Sequence, residues 1–211
     1  MYNEPIPQHW LLDANVLFSE WMRVFCATLA DEVGARLYYT PLIEEEAFRN
    51  LCRLGRLSQR DAQVQRQTLS SLLPAWVHQQ DDSAYLADVD CVQKKDKPIA
   101  ASALGLAVQN NATVALLTWN IKDFPRRQLL RKRVARYTPD EMAIQVLNQV
   151  QASGLTLLSH SQTRFMQYLQ ACPRLEPTLY DLKAKPWPEQ LAQWSDFLKR
   201  NRLLRLNKSI F

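Results

Sequence analysis

His9-Trp10-Leu11-Leu12-Asp13-Ala14-Asn15-Val16-Leu17 is the stretch that decides how this chain folds. A short apolar run ends abruptly at an acid. Residues 8–13 have the length and composition of a buried strand, and Asn15 is placed to cap a helix running to about Glu32. Val16, Leu17, Val24, Phe25, Leu29 and Val33 fall near helical spacing, and Gly34 stands where a left-handed residue closes a helix. A strand that hands over to a helix through an acid is half of a β-α unit. An unpaired charge beside Leu11 and Leu12 is costly, so Asp13 is the acid least explained by solvation.

The same grammar recurs outward from this stretch. Residues 36–40 read as a second strand, and Thr40-Pro41 opens a helix to Leu54 that carries Glu44-Glu45-Glu46. Gly55 breaks the chain, and Ser58 with Asp61 resembles a capping box for a polar helix to about Leu73. Residues 75–90 are ambiguous, with short strands or elements at Ala75-Trp76-Val77-His78 and Ala84-Tyr85-Leu86. A helix follows from Asp96 to about Gln109, then a strongly apolar strand at 113–118. Asn120 begins a short turn or helix stopped at Pro125. Residues 134–137 read as a last strand, and Thr138-Pro139-Asp140-Glu141 starts a helix over 139–152. Beyond Gly154 the pattern is helical, with segments near 159–171 and 187–204 punctuated by prolines. This alternation predicts an α/β fold, a central parallel β-sheet flanked by helices, over 1–153, with a small C-terminal helical extension over 154–211.

In an open sheet of this kind the carboxyl ends of the strands and the adjoining helix starts share one edge, where ligands bind. Asp13 closes the first strand, Glu46 follows the second, Asp96 opens a helix and Asp123 follows the strand at 113–118. These acids, far apart in sequence, are expected to converge. Converged carboxylates repel, and a hard divalent cation relieves the repulsion through oxygen ligands. One or two Mg²⁺ or Mn²⁺ ions, with phosphate chemistry, are the expectation. Plainer roles exist for each residue: Asn15, Asp96 and Asn120 are good helix caps, Asp123 completes a cap with Asn120, and Glu46 suits a solvated helix face.

The chain has 211 residues, 47% of them hydrophobic, and a formal charge of +5, enough for one cored domain with a small appendage. A basic chain around an acidic cluster suits a polyanionic substrate, although the same excess also serves solubility. Arg126, Arg127, Arg131, Lys132, Arg133 and Arg136 form a run without acids directly after Asp123, which places them near the site or on a solvated helix face. Lys94, Lys95 and Lys97 flank Asp96 and add candidate phosphate contacts. Trp119 either stacks on a base or fills the core. Cys26, Cys52, Cys91 and Cys172 lack metal spacing and read as reduced, mostly buried thiols of a cytoplasmic protein. His9, His78 and His160 are isolated and read as structural. No phosphate-binding glycine loop occurs, and no signal peptide or membrane span is visible.

Four segments together resemble the motifs of PIN-domain nucleases, the family that includes VapC-like toxin ribonucleases. Leu11-Leu12-Asp13-Ala14-Asn15-Val16-Leu17 is similar to the opening motif, and Glu46-Ala47-Phe48-Arg49-Asn50-Leu51 to the second. Lys95-Asp96-Lys97-Pro98-Ile99-Ala100-Ala101-Ser102-Ala103 resembles the third, and Leu117-Thr118-Trp119-Asn120-Ile121-Lys122-Asp123-Phe124-Pro125 the fourth. Tyr137-Thr138-Pro139-Asp140-Glu141 is similar to a segment that follows it, so the resemblance covers about 8–145. It implies a PIN-like fold and a metal-dependent endoribonuclease. Asp13, Glu46, Asp96 and Asp123 become catalytic metal-site acids, and Asn15, Thr118 and Asn120 their polar support. Glu44 and Glu45 compete with Glu46, which the family pattern favours because it stands four residues before Asn50. Lys95 and Lys97 depart from the small or aspartate residue usual near the third motif. The resemblance also implies RNA as substrate, the toxin role of a type II toxin–antitoxin pair, a cognate antitoxin protein as partner, and a homodimer. A housekeeping RNA-processing nuclease and a non-catalytic RNA-binding module are the alternatives.

Overall fold

The backbone hydrogen bonds of the apolar runs close into one sheet. In the computed structural model, which describes residues 5–72 and 74–152, β1 is His9–Leu12, β2 Arg36–Tyr38, β3 Val114–Leu117 and β4 Val134–Tyr137. They lie in the order β2-β1-β3-β4, and every pairing is parallel. Leu11 stands beside both Tyr38 and Leu116, and Leu117 beside Tyr137. Trp10, Leu11 and Leu12 of β1 and all of β3 are fully buried. Covering by helices on both faces explains why these strands read as unbroken apolar runs and not as alternating ones.

The helices are α1 Ala14–Leu17, α2 Glu20–Val33, α3 Pro41–Arg53, α4 Gln59–Leu72, α5 Lys97–Gln109, α6 Arg126–Leu130 and α7 Pro139–Ala152. The α/β architecture, the parallel sheet and its helical flanks agree with the sequence expectation. Several local signals also behave as read. Gly34 ends α2 in the left-handed region at φ 68°. The Ser58 hydroxyl takes the Asp61 amide at 3.1 Å at the start of α4, and Thr138 and Glu141 exchange reciprocal bonds at the start of α7.

Other expectations are corrected. The helix expected from Asn15 to Glu32 is two helices. Asp13 caps α1, and the Ser19 hydroxyl accepts the Met22 amide and starts α2 afresh. Asn15 is therefore no cap. Pro74–Trp76 form a 3-10 turn, Val77 makes one parallel bridge to Tyr39, and Ser83–Tyr85 and Ala87–Val89 are two further 3-10 turns. The short turn begun at Asn120 does stop at Pro125, but a helix not expected from the sequence, α6, starts directly after it. Gly105, inside α5, exists for a neighbour: a Cβ there would meet the Asp82 carboxylate at 1.9 Å. The helical extension expected over 154–211 lies outside the described residues. Among the described residues no helix is long and apolar enough to cross a membrane.

Candidate functional site

Each strand delivers its last residue to the same edge. Asp13 follows β1 directly, with its amide bonded to the Leu117 carbonyl at the end of β3. α3 begins just after β2 and carries Glu46. α5 runs back against the strands, so its start, with Asp96, returns to that edge. Asp123 lies in the loop between β3 and α6.

Asp13 is only 4% exposed. Its Oδ1 accepts the Ala14 amide at 2.7 Å. Its Oδ2 accepts the Asn15 side-chain amide at 2.7 Å and the Thr118 hydroxyl at 2.6 Å. Asn15 also donates to Thr118 Oγ1 at 3.2 Å, and its own oxygen accepts the Trp119 amide at 3.0 Å. Asn15 and Thr118 thus staple the end of β1 to the end of β3 around one carboxylate, the support role expected of them. Burial pushes the Asp13 carboxyl up to about 6. The Thr118 and Ala14 hydrogen bonds pull against that shift, and the charges of Glu46 and Asp96 add to it.

The third and fourth segments meet beside it. Asn120 donates its side-chain amide to Asp123 Oδ2 at 2.6 Å, and this bond, with Lys95 helping, holds Asp123 below the usual carboxylate range. Asp96 occupies the cap position of α5 but makes no capping bond. Its Oδ2 is buried with no hydrogen-bond partner among the described residues; the Lys95 ammonium lies 3.6 Å away, beyond hydrogen-bond length. Burial raises the Asp96 pKa, Lys95 opposes the rise, and Asp123 and Glu46 reinforce it.

The acidic triplet on α3 divides by geometry. Glu46, half-buried, acts on both Asp13 and Asp96 as a like charge. Glu44 is buried but accepts Arg66 at 3.3 Å and Ser70 at 3.2 Å, and exposed Glu45 pairs with Arg49 at 3.6 Å. A cavity of about 450 Å³ lies over Glu44, Gln63, Arg66, Gln67 and Ser70, and includes none of the edge acids.

Asp13, Glu46, Asp96 and Asp123 therefore come within electrostatic reach of one another, directly or through Asp96. They do not form a closed cage: among the described residues no three acidic, imidazole or thiol groups stand in position to hold an ion. The donors are nevertheless those a hard divalent cation takes, all carboxylate oxygens, with one buried oxygen lacking a hydrogen bond.

The basic run is corrected most. Only its two ends lie by the acids: the Arg126 guanidinium sits 5.7 Å over the ring of Tyr137, the last residue of β4, and Arg136 reaches the loop that carries Asp123. Arg131, Lys132 and Arg133 precede β4 and so lie at the amino end of the sheet. There the Arg133 carbonyl accepts the Val114 amide, and its guanidinium donates to Asn111 at 2.7 Å. A run contiguous in sequence spans both ends of a parallel strand and cannot crowd one site. Arg127 is exposed on α6. Arg136 has a role that its place in a charge run concealed: it donates to the Ile121 carbonyl at 2.9 Å, bracing the loop that carries Asn120 and Asp123.

Lys97 is paired with Asp90, so it is less open than expected for a phosphate contact. Trp119 is 8% exposed and belongs to the core, not to a stacking platform. Cys26 is buried, but Cys52 is half-buried and Cys91 exposed, which corrects the expectation of mostly buried thiols; Cys172 lies outside the described residues. His78, buried, bonds Asp82 at 2.8 Å, consistent with a structural role. No family model, curated protein or solved structure matches this chain.

Proposed function

We propose that this chain is a divalent-metal-dependent endoribonuclease of PIN-like fold, hydrolysing RNA phosphodiester bonds in the cytoplasm as the toxin of a type II toxin–antitoxin pair. The observation that carries this reading is Asp13: a carboxylate buried at a strand end, held by neutral donors, with Glu46 and Asp96 as its like-charged neighbours. Such an arrangement costs stability unless a cation from outside completes it. The ordered resemblance of the segments around Asp13, Glu46, Asp96 and Asp123 supports the same conclusion.

Asp13, Glu46 and Asp96 would hold Mg²⁺ or Mn²⁺, with Asp123 beside them. Bound there, the cation supplies Lewis-acid activation of water and neutralises charge on the phosphodiester. Asn15 and Thr118 fix the Asp13 carboxylate in orientation. Asn120 and Arg136 hold the Asp123 loop. Exposed Arg126 and Arg127 bind RNA phosphates beside the edge. A cognate antitoxin would cover this edge, and a homodimer is part of the same reading.

A second reading, an RNA-binding module without catalysis, has one observation in its favour: Lys95 already partners two of the acids. Expression of the wild-type chain against Asp13→Asn, with sequencing of RNA 5′ ends, separates the two. New ends that require Asp13, and cleavage by the purified protein that requires Mn²⁺ and stops with EDTA, support the nuclease. RNA binding that persists in Asp13→Asn and EDTA without any cleavage by the wild type supports the module. A small antitoxin-like reading frame beside the gene, whose product abolishes cleavage, supports the toxin over a housekeeping nuclease.

A further inference from the structure

We propose that Lys95 is a built-in counter-cation for the Asp96–Asp123 side of the acidic edge, so that the site takes one divalent ion and not two. The inference rests on the metal-dependent reading above. Lys95 Nζ stands 3.2 Å from Asp123 Oδ2 and 3.6 Å from Asp96 Oδ2. An ion shared by those carboxylates would lie roughly 2.0–2.2 Å from their oxygens. The ammonium and the ion would compete for one space.

Lone pairs point the same way. A carboxylate oxygen offers about two acceptor directions. Asp123 Oδ2 already takes the Asn120 amide at 2.6 Å and the Lys95 ammonium at 3.2 Å, which uses both. Asp13 Oδ1, by contrast, accepts only the Ala14 amide among the described residues and keeps a direction free.

The charges divide accordingly. Asp13 is met by the Ala14 amide, the Asn15 side-chain amide and the Thr118 hydroxyl, none of which carries a charge. The Lys95 ammonium stands beside both Asp96 and Asp123. One half of the edge is short of a positive charge, and the other carries its own. The lysine does this from the surface, since its side chain is 66% exposed. Its removal therefore leaves the core untouched.

The test is the number of Mn²⁺ ions bound per chain, read by electron paramagnetic resonance on the RNA-free protein. Thermal melts confirm that each variant folds. Wild type is expected to bind one ion. Lys95→Ala and Lys95→Met vacate the space and are expected to bind two. Lys95→Arg keeps the charge and should stay at one, and Asp13→Asn should lose the first ion. Two ions in the wild type, or one in both neutral variants, overturns the inference while leaving the metal site intact. No Mn²⁺ bound by wild type or by any Lys95 variant sinks the metal reading and the inference together.

Discussion

Two carboxylates are buried in neighbouring parts of this molecule to nearly the same degree, Asp13 at 4% exposure and Glu44 at 6%. Glu44 sits between α3 and α4, where the Arg66 guanidinium meets one of its oxygens through two nitrogens at 3.3 Å and Ser70 meets the other at 3.2 Å. Asp13 sits at the sheet edge, where an amide, a side-chain amide and a hydroxyl bond its oxygens but none brings a charge. Its charged neighbours are Glu46 and Asp96. Hydrogen bonding is adequate at both places; charge compensation exists only at the first. A buried acid with its own arginine ties two helices together. A buried acid among other acids leaves a deficit that a ligand from outside must make good, and this is what separates a structural carboxylate from a candidate site.

The sharpest way to break this contrast is to neutralise each acid. Asp13→Asn should lower RNA cleavage by at least ~10³-fold, about 4 kcal/mol in the barrier, while Glu44→Gln leaves it within a few fold. Equal cleavage by wild type and Asp13→Asn would erase the distinction. Stability against pH tests the charge deficit itself. The Asp13 pKa is raised from 3.8 to about 6 on folding, so the folded state binds more protons between those values. Metal-free stability should then fall as pH rises from about 4 to about 6 and level off above, by about 3 kcal/mol from this group. Denaturant midpoints across that range, with this fall missing from the Asp13→Asn profile, would report it.

Metal should reverse the loss. Mn²⁺ at about a hundred times its dissociation constant should stabilise the wild type by about 2.7 kcal/mol at neutral pH, and calorimetry should find the gain missing in Asp13→Asn but kept in Arg66→Ala. Arg66→Ala has its own smaller effect. The side chain is 40% exposed, so solvent softens the loss, and a destabilisation of about 1–2 kcal/mol is expected in urea melts. The smallest effect concerns the basic run. Changing Arg126 and Arg127 together to Ala should reduce the salt slope of single-stranded RNA binding by about 1.4, at roughly 0.7 per phosphate contact. The same change at Arg131 and Arg133, at the other end of the sheet, should leave the slope alone.

Much of this was legible in the chain. The run ending at Asp13, the fully buried β3 and the caps at Ser58 and Thr138 are local signals, carried by residues within a few positions of one another. The parallel sheet follows from their alternation. What sequence reading missed depends on distant partners. Asn15 suits a cap by its type, yet its bonds go to Thr118, 103 residues away, and to the Trp119 amide. Glu44, Glu45 and Glu46 are alike in type, and only the resemblance favoured Glu46; Arg66 beside Glu44 and Asp13 near Glu46 separate them in space. Arg131 and Arg133 follow Asp123 closely in the chain, but a parallel strand must be entered from its amino end, which carries them away from the acids.

The order of residues by itself determined the four strands, most of the long helices, and the chemical type of the donors at their edge, because strand length, helix starts and residue class are properties of short segments. Only the packed molecule decided that Arg66 claims Glu44, that Lys95 lies between Asp96 and Asp123, and that Arg136 braces the loop. Those outcomes turn on distances of a few ångströms between side chains from separate elements, and Coulomb and hydrogen-bond energies change over just that range.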